Sequence, residues 1–128
     1  MSTGNIVAFK RIGAPKAMAK TGDTVKVQVS LNGEPDWDWT ECFKHPSTFG
    51  TGEAHPASAL VTGNTIMFIS SASSIKENIE WMDKYIQQAN DRYNRIMAER
   101  LAEEKKQQEL VRKRKEELDR INETLKDI

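Results

Sequence analysis

Every glycine and every proline of this chain lies in its first half: seven Gly and four Pro precede residue 64 of 128, and none follows. Glycine interrupts regular structure through its backbone freedom, proline by lacking an N–H and fixing φ. Breakers crowded into one half and missing from the other imply short segments joined by turns, then a single uninterrupted element. The expected fold class is α+β: a small antiparallel β meander of about five strands, barrel or sandwich, followed by one long C-terminal helix with coiled-coil character. The expected boundary falls near "SSASS" (70–74), giving a β domain over 1–72 and a helical segment over 73–128.

Within the β half, "NIVAFKRI" (5–12) reads as a strand ending at a Gly-Ala-Pro bend. "TVKVQVSL" (24–31) alternates, with Val25, Val27, Val29 and Leu31 on one face. The next stretch, "EPDWDWTECF" (34–43), spaces Trp37 and Trp39 two apart with Phe43 in the same parity. A bulged three-residue turn at Leu31-Asn32-Gly33 would set Val27 opposite Trp37 and Val25 opposite Trp39, whereas a one-residue slip would turn the valines toward Asp36 and Asp38. The hairpin reading is therefore the expectation. "SALVT-GN-TIMFIS" predicts a second hairpin across Gly63-Asn64, and the intervening polar stretch 44–57, with two His-Pro pairs, an irregular exposed loop. A β unit of roughly 70 residues buries little apolar surface by itself.

The helical half opens on Ser74-Ile75-Lys76-Glu77, a capping-box pattern. Ile75, Ile79, Met82, Ile86, Ala89, Tyr93 and Ile96 then recur at alternating spacings of four and three, the signature of a heptad seam. The seam slips by one residue to Met97, Leu101, Val111, Leu118 and Leu125, with Glu104 and Gln108 at positions that want apolar groups. Coiled-coil character is thus expected to about residue 101 and weaker beyond. Unbroken, the helix would extend about 80 Å at ~1.5 Å per residue, more than a small domain can cover. The partner-binding seam is accordingly assigned to Ile75, Ile79, Met82, Ile86, Ala89, Tyr93, Ile96, Met97 and Leu101.

Charge and motifs narrow the chemistry. Lys plus Arg and Asp plus Glu both number 19, so the chain is neutral, against the basic excess typical of nucleic-acid binders. From residue 73 onward 13 basic and 13 acidic groups are interleaved, with "RKRK" (112–115) the one basic burst. Glu109 with Lys113 and Glu116 with Arg120 are favourably spaced pairs. No phosphate-cradling glycine loop, nucleophile elbow or H-E-x-x-H stands in the sequence.

Trp37, Trp39 and Phe43 are candidates for a stacking platform, although in so small a domain large aromatics serve first as core. Cys42, His45 and His55 are a weak metal-ligand set, since zinc wants a fourth donor that only Glu41 or Glu53 would supply, and a second closely spaced ligand pair is missing. No cofactor or metal is expected. One cysteine forbids an internal disulfide and suits a reducing cytoplasm, and no apolar run reaches membrane-spanning length. The reading reached from sequence is a non-enzymatic intracellular protein–protein interaction module of adaptor or inhibitor type. It would dock another protein or form a homodimer through its helix. The alternative is a single-strand nucleic-acid-binding β domain with a helical dimerisation arm, the less favoured partner being nucleic acid.

Overall fold

The structure, a computed structural model, describes residues 6–47 and 54–128. Its strands are β1 (Arg11–Thr21), β2 (Thr24–Leu31), β3 (Leu60–Thr62) and β4 (Thr65–Ser71); its helices are α1 (Trp37–Lys44) and α2 (Ile75–Leu125). Among the described residues the strands form one four-stranded antiparallel sheet of order β1-β2-β4-β3, so the expected count of about five is reduced to four. These residues fall into two units, Ile6–Asn94 and Arg95–Ile128.

β2 is the centre of the first unit. Val25, Val27, Val29 and Leu31 are all at most 3% exposed, as their alternation predicts. Across the β2–β4 ladder Val27 lies opposite Phe68 and Val29 opposite Ile66, so both strands bury the same face. Each such side chain removed from water contributes about 1.5–3 kcal/mol, which fixes the register against a one-residue slip. The other face is open, with Lys26, Leu60 and Ile69 exposed on it.

Two hairpins hold the sheet. Gly63, at φ 56°, opens the predicted turn between β3 and β4. Gly22, at φ 60°, opens an equivalent two-residue turn between β1 and β2; a positive φ at the first central residue matches the twist of paired strands. β1 lies elsewhere than expected. The strand begins at Arg11 and runs through Gly13-Ala14-Pro15, where the sequence predicts a bend. Pairing breaks between Ile12 and Lys16, leaving those three residues as a bulge with Gly13 at φ 68°. Proline is tolerated there because an edge strand needs no donor at a bulge.

The largest correction concerns residues 37–44, which form helix α1 rather than a strand paired with β2. Asp36 caps it: its backbone is extended and its Oδ1 accepts the Trp39 N–H at 2.8 Å. Asp38 in the first turn and Lys44 in the last complement the helix dipole. Residues two apart share a strand face but lie nearly opposite on a helix at 3.6 residues per turn. Hence Trp39 is fully buried with Cys42 and Phe43, three and four residues on, while Trp37 is 73% exposed. The expected exposed loop after α1 also differs: Pro46, Ala54 and Pro56 are buried, and Pro56–Ser58 form a short 3-10 turn. Residues 48–53, including Glu53, lie outside the described residues.

α2 covers the buried sheet face. Asn78 Nδ2 donates to the Ser70 hydroxyl of β4 at 2.8 Å. Farther along, Asp83 takes two hydrogen bonds from the Arg11 guanidinium of β1, at 2.9 and 3.0 Å. That bidentate bond raises the Arg11 pKa further above its ordinary value, opposed in part by desolvation. Both side chains are roughly a third exposed, so the pair is worth at most about 1 kcal/mol.

Candidate functional site

Three asparagines organise the middle of the first unit. Asn90 and Asn94 stand one turn apart on α2 and meet residues 7 and 9 of the segment that precedes β1. The Asn94 amide accepts from the Val7 N–H at 2.8 Å and donates to the Val7 carbonyl at 2.9 Å. Asn90 does the same for Phe9, accepting at 3.2 Å and donating at 2.7 Å. On the opposite edge Asn32 accepts from the Lys10 N–H at 3.0 Å through Oδ1 and donates to the Ala8 carbonyl at 3.3 Å through Nδ2. The Asn32 backbone N–H closes the set on the Lys10 carbonyl at 3.1 Å.

Odd residues bonding on one edge and even residues on the other define an extended chain. Burial alternates with the same period, residues 7 and 9 half-buried and 6, 8 and 10 exposed. The fit is metric: one helical turn of four residues rises ~6 Å, close to the ~6.7 Å between alternate residues of a strand. Side-chain amides here take the place of a neighbouring strand.

Asn90 has a further duty. Its Oδ1 also accepts the Trp39 indole N–H at 2.9 Å, tying α1 to α2 and to the Phe9 backbone through one buried oxygen. The Trp39 ring stacks on Phe43 at 5.4 Å and meets Phe9 edge-on at 5.3 Å. Gly33 leaves the room Phe9 uses, since a Cβ there would come within 2.8 Å of Phe9 Cε1.

α2 also holds the ends of α1. The Tyr93 hydroxyl donates to Asp36 Oδ2 at 2.7 Å, and Arg92 Nη1 donates to the His45 carbonyl at 2.6 Å. Asp36 therefore caps α1 with one oxygen and anchors Tyr93 with the other. Asp36→Ala is expected to lower unfolding free energy by about 1–2 kcal/mol, and Asp36→Asn by less than half of that because a capping acceptor is retained. Urea-denaturation midpoints check both, and equal losses for the two variants would show that the charge rather than the cap matters.

The residues singled out from sequence are dispersed. Of the helical seam, Met82, Ile86 and Ala89 are at most 2% exposed inside their own unit, Ile75, Ile79 and Tyr93 are half-buried there, and Ile96, Met97 and Leu101 are half-buried in the second unit. The aromatic platform does not form: Trp39 and Phe43 are core, and Trp37 stands exposed without them.

Cys42 is buried, whereas His45 and His55 are exposed, with His45 Nε2 3.7 Å from Glu41. Among the described residues no group of three His, Cys, Asp or Glu side chains is placed to hold a metal ion. In the basic run, Arg112 pairs with both Glu109 and Glu116, and the expected partner Lys113 adds its attraction to Glu109. The Arg112 hydrogen bond holds the Glu109 carboxyl below its ordinary value. No helix of the described residues is long and apolar enough to cross a membrane.

Sequence reasoning missed the asparagines. Asn is a mediocre helix former, yet Asn78, Asn90 and Asn94 all lie inside α2, where each must recover its cost through a specific bond. That misfit with propensity was the available signal.

A second surface is apolar and exposed. Leu110, Val111, Leu118, Ile121 and Leu125 of α2 are each 43–63% accessible. Val111, Leu118 and Leu125 repeat at intervals of seven, with Ile121 three residues after Leu118, which puts them on one stripe. Compared with protein-family models, with curated proteins and with solved structures, the chain matches none.

Proposed function

We propose that this chain is a non-enzymatic, intracellular protein–protein interaction module that self-associates or docks a partner protein through the later part of α2. The observation that carries this reading is the exposed stripe of Val111, Leu118, Ile121 and Leu125 on a helix otherwise dense in charge. Isolated apolar side chains on a surface are ordinary, but four on a heptad stripe match the seam by which helices pair. The interleaved Glu, Lys and Arg around the stripe suit the flanks of such a pairing and keep the free surface soluble. Met82, Ile86 and Ala89 are already used within the chain's own core, so the association surface shifts toward the C-terminal side of the seam first assigned. Cys42, a buried thiol rather than half of a disulfide, is compatible with a reducing compartment.

Sedimentation equilibrium tests the reading. The wild-type chain is expected to show a mass above that of one chain, and Leu118→Asp to return it to one chain while leaving Trp39 emission and the unfolding midpoint unchanged. A wild-type monomer that also captures no partner through this stripe, or a Leu118→Asp variant of undiminished mass, would refute it.

A further inference from the structure

Ile6–Lys10 is held almost wholly through its main chain. Asn90, Asn94 and Asn32 bond its backbone N–H and C=O groups, and none of them touches a side chain of the segment by hydrogen bond. Recognition of this kind accepts any sequence that can lie extended, the principle by which sheet edges capture peptides. Two side chains add selection. Phe9 fills the niche that Gly33 leaves open beside Trp39, and Val7 turns to the same side. Arg11, next in the same parity, is gripped by Asp83. The segment does not fill its trough: open clefts of about 300 Å³ and 270 Å³ run between it and α2, with Gln87 on the wall of both. Releasing it breaks six bonds to side-chain amides and one from the Asn32 backbone N–H to the Lys10 carbonyl, all of which water can replace, and leaves the β1–β2 ladder from Arg11 onward in place.

We propose that the trough built by Asn90, Asn94, Asn32 and the Gly33–Trp39 niche is a binding site for an extended peptide of a partner protein, and that Ile6–Lys10 occupies it in cis as a pseudo-ligand. The partner segment has the pattern aliphatic, any, aromatic, any, arginine, matching Val7, Phe9 and Arg11. Its aromatic enters the niche, its arginine competes for Asp83, and its backbone takes the three asparagine amides. This site is separate from the helical stripe, so neither reading depends on the other.

The test uses the full chain and a labelled peptide of residues 4–13, read by fluorescence anisotropy. The cis segment competes as a tethered ligand, so wild type is expected to bind weakly. Phe9→Ala, which empties the niche, should bind at least about tenfold more tightly. A peptide with alanine in place of its phenylalanine should lose that gain. Adding Asn94→Ala to the Phe9→Ala chain should weaken binding by about tenfold, because one residue's backbone pair is lost.

A folded Phe9→Ala chain that binds the peptide no better than wild type overturns the proposal. So does a wild-type dimer dissolved by Phe9→Ala, since the occupant in trans would then be a second copy's segment. If Phe9→Ala does not fold, amide exchange of the wild type decides. The Val7 and Phe9 amides should exchange through a local opening, at least about tenfold faster than those of Val27 and Phe68. Exchange at the rate of global unfolding would make the segment an inseparable part of the fold and refute the proposal.

Discussion

Asn90→Ala is expected to cost about 3–4 kcal/mol of unfolding free energy, several times the cost of Asn94→Ala, although both delete the same amide from the same helix. The difference lies in burial and in the number of partners. Asn94 serves one part-buried residue, Val7, whose backbone can turn to water when the amide is gone. Asn90 is 4% exposed and serves the Phe9 N–H, the Phe9 carbonyl and the Trp39 indole N–H together.

Of these the indole suffers most. Trp39 is fully buried between Phe9 and Phe43, so its N–H has no route to solvent. An unsatisfied buried donor costs roughly 1–3 kcal/mol, and the two backbone bonds add about 0.5–1.5 kcal/mol each. Urea denaturation with unchanged m-value measures the loss. A double-mutant cycle with Trp39→Phe isolates the shared oxygen: coupling of at least about 1 kcal/mol is expected, since both substitutions abolish the same bond. Additive losses, or an Asn90→Ala cost below about 1 kcal/mol, would show that the asparagine only fills space.

Much of the architecture was legible because strong signals pointed one way. The valine alternation of β2, the turn at Gly63-Asn64 and the helix beginning at Ile75 each rest on periodicity or turn chemistry that tertiary context did not override. Residues 37–43 failed because their apolar pattern satisfies two periods. Trp37, Trp39 and Phe43 read as alternate strand positions; Trp39, Cys42 and Phe43 read equally well as one helical face. The tie is broken by polar residues: Asp36 after Pro35 is a helix N-cap, and Asp38 belongs in a first turn.

β1 was obscured for the opposite reason. Gly13 and Pro15 are ordinarily breakers, and only the pairing partner reveals that they sit in a bulge. The candidate sites were less legible than the fold. Heptad periodicity shows that Ile86 and Leu118 are both apolar seam positions, but it carries no information about which stretch the chain's own sheet covers. The asparagine trough depends on contacts between residues 81 and 87 positions apart, which no local pattern encodes.

Ile86→Asp and Leu118→Asp separate the two uses of that seam most sharply. Ile86 is 2% exposed within its own unit, so an aspartate there loses the isoleucine's burial and brings in an unpaired charge. Loss of the apolar side chain alone costs about 2–5 kcal/mol, and the buried carboxylate adds to it. Against a typical domain stability of ~5–15 kcal/mol, the first unit should lose its cooperative transition or retain it only at much lower denaturant. Trp39 emission should shift to the red as its niche opens. Ile86→Val should cost only about 0.5–1.5 kcal/mol, confirming that shape and not chain chemistry is at stake.

Leu118 is 61% exposed, so the same substitution there should move the midpoint by no more than about 0.5 kcal/mol while reducing association. The reverse pattern is equally readable. If Ile86→Asp kept a native midpoint and lost only mass, Ile86 would face another chain, and the burial of α2 against its own sheet would be wrong.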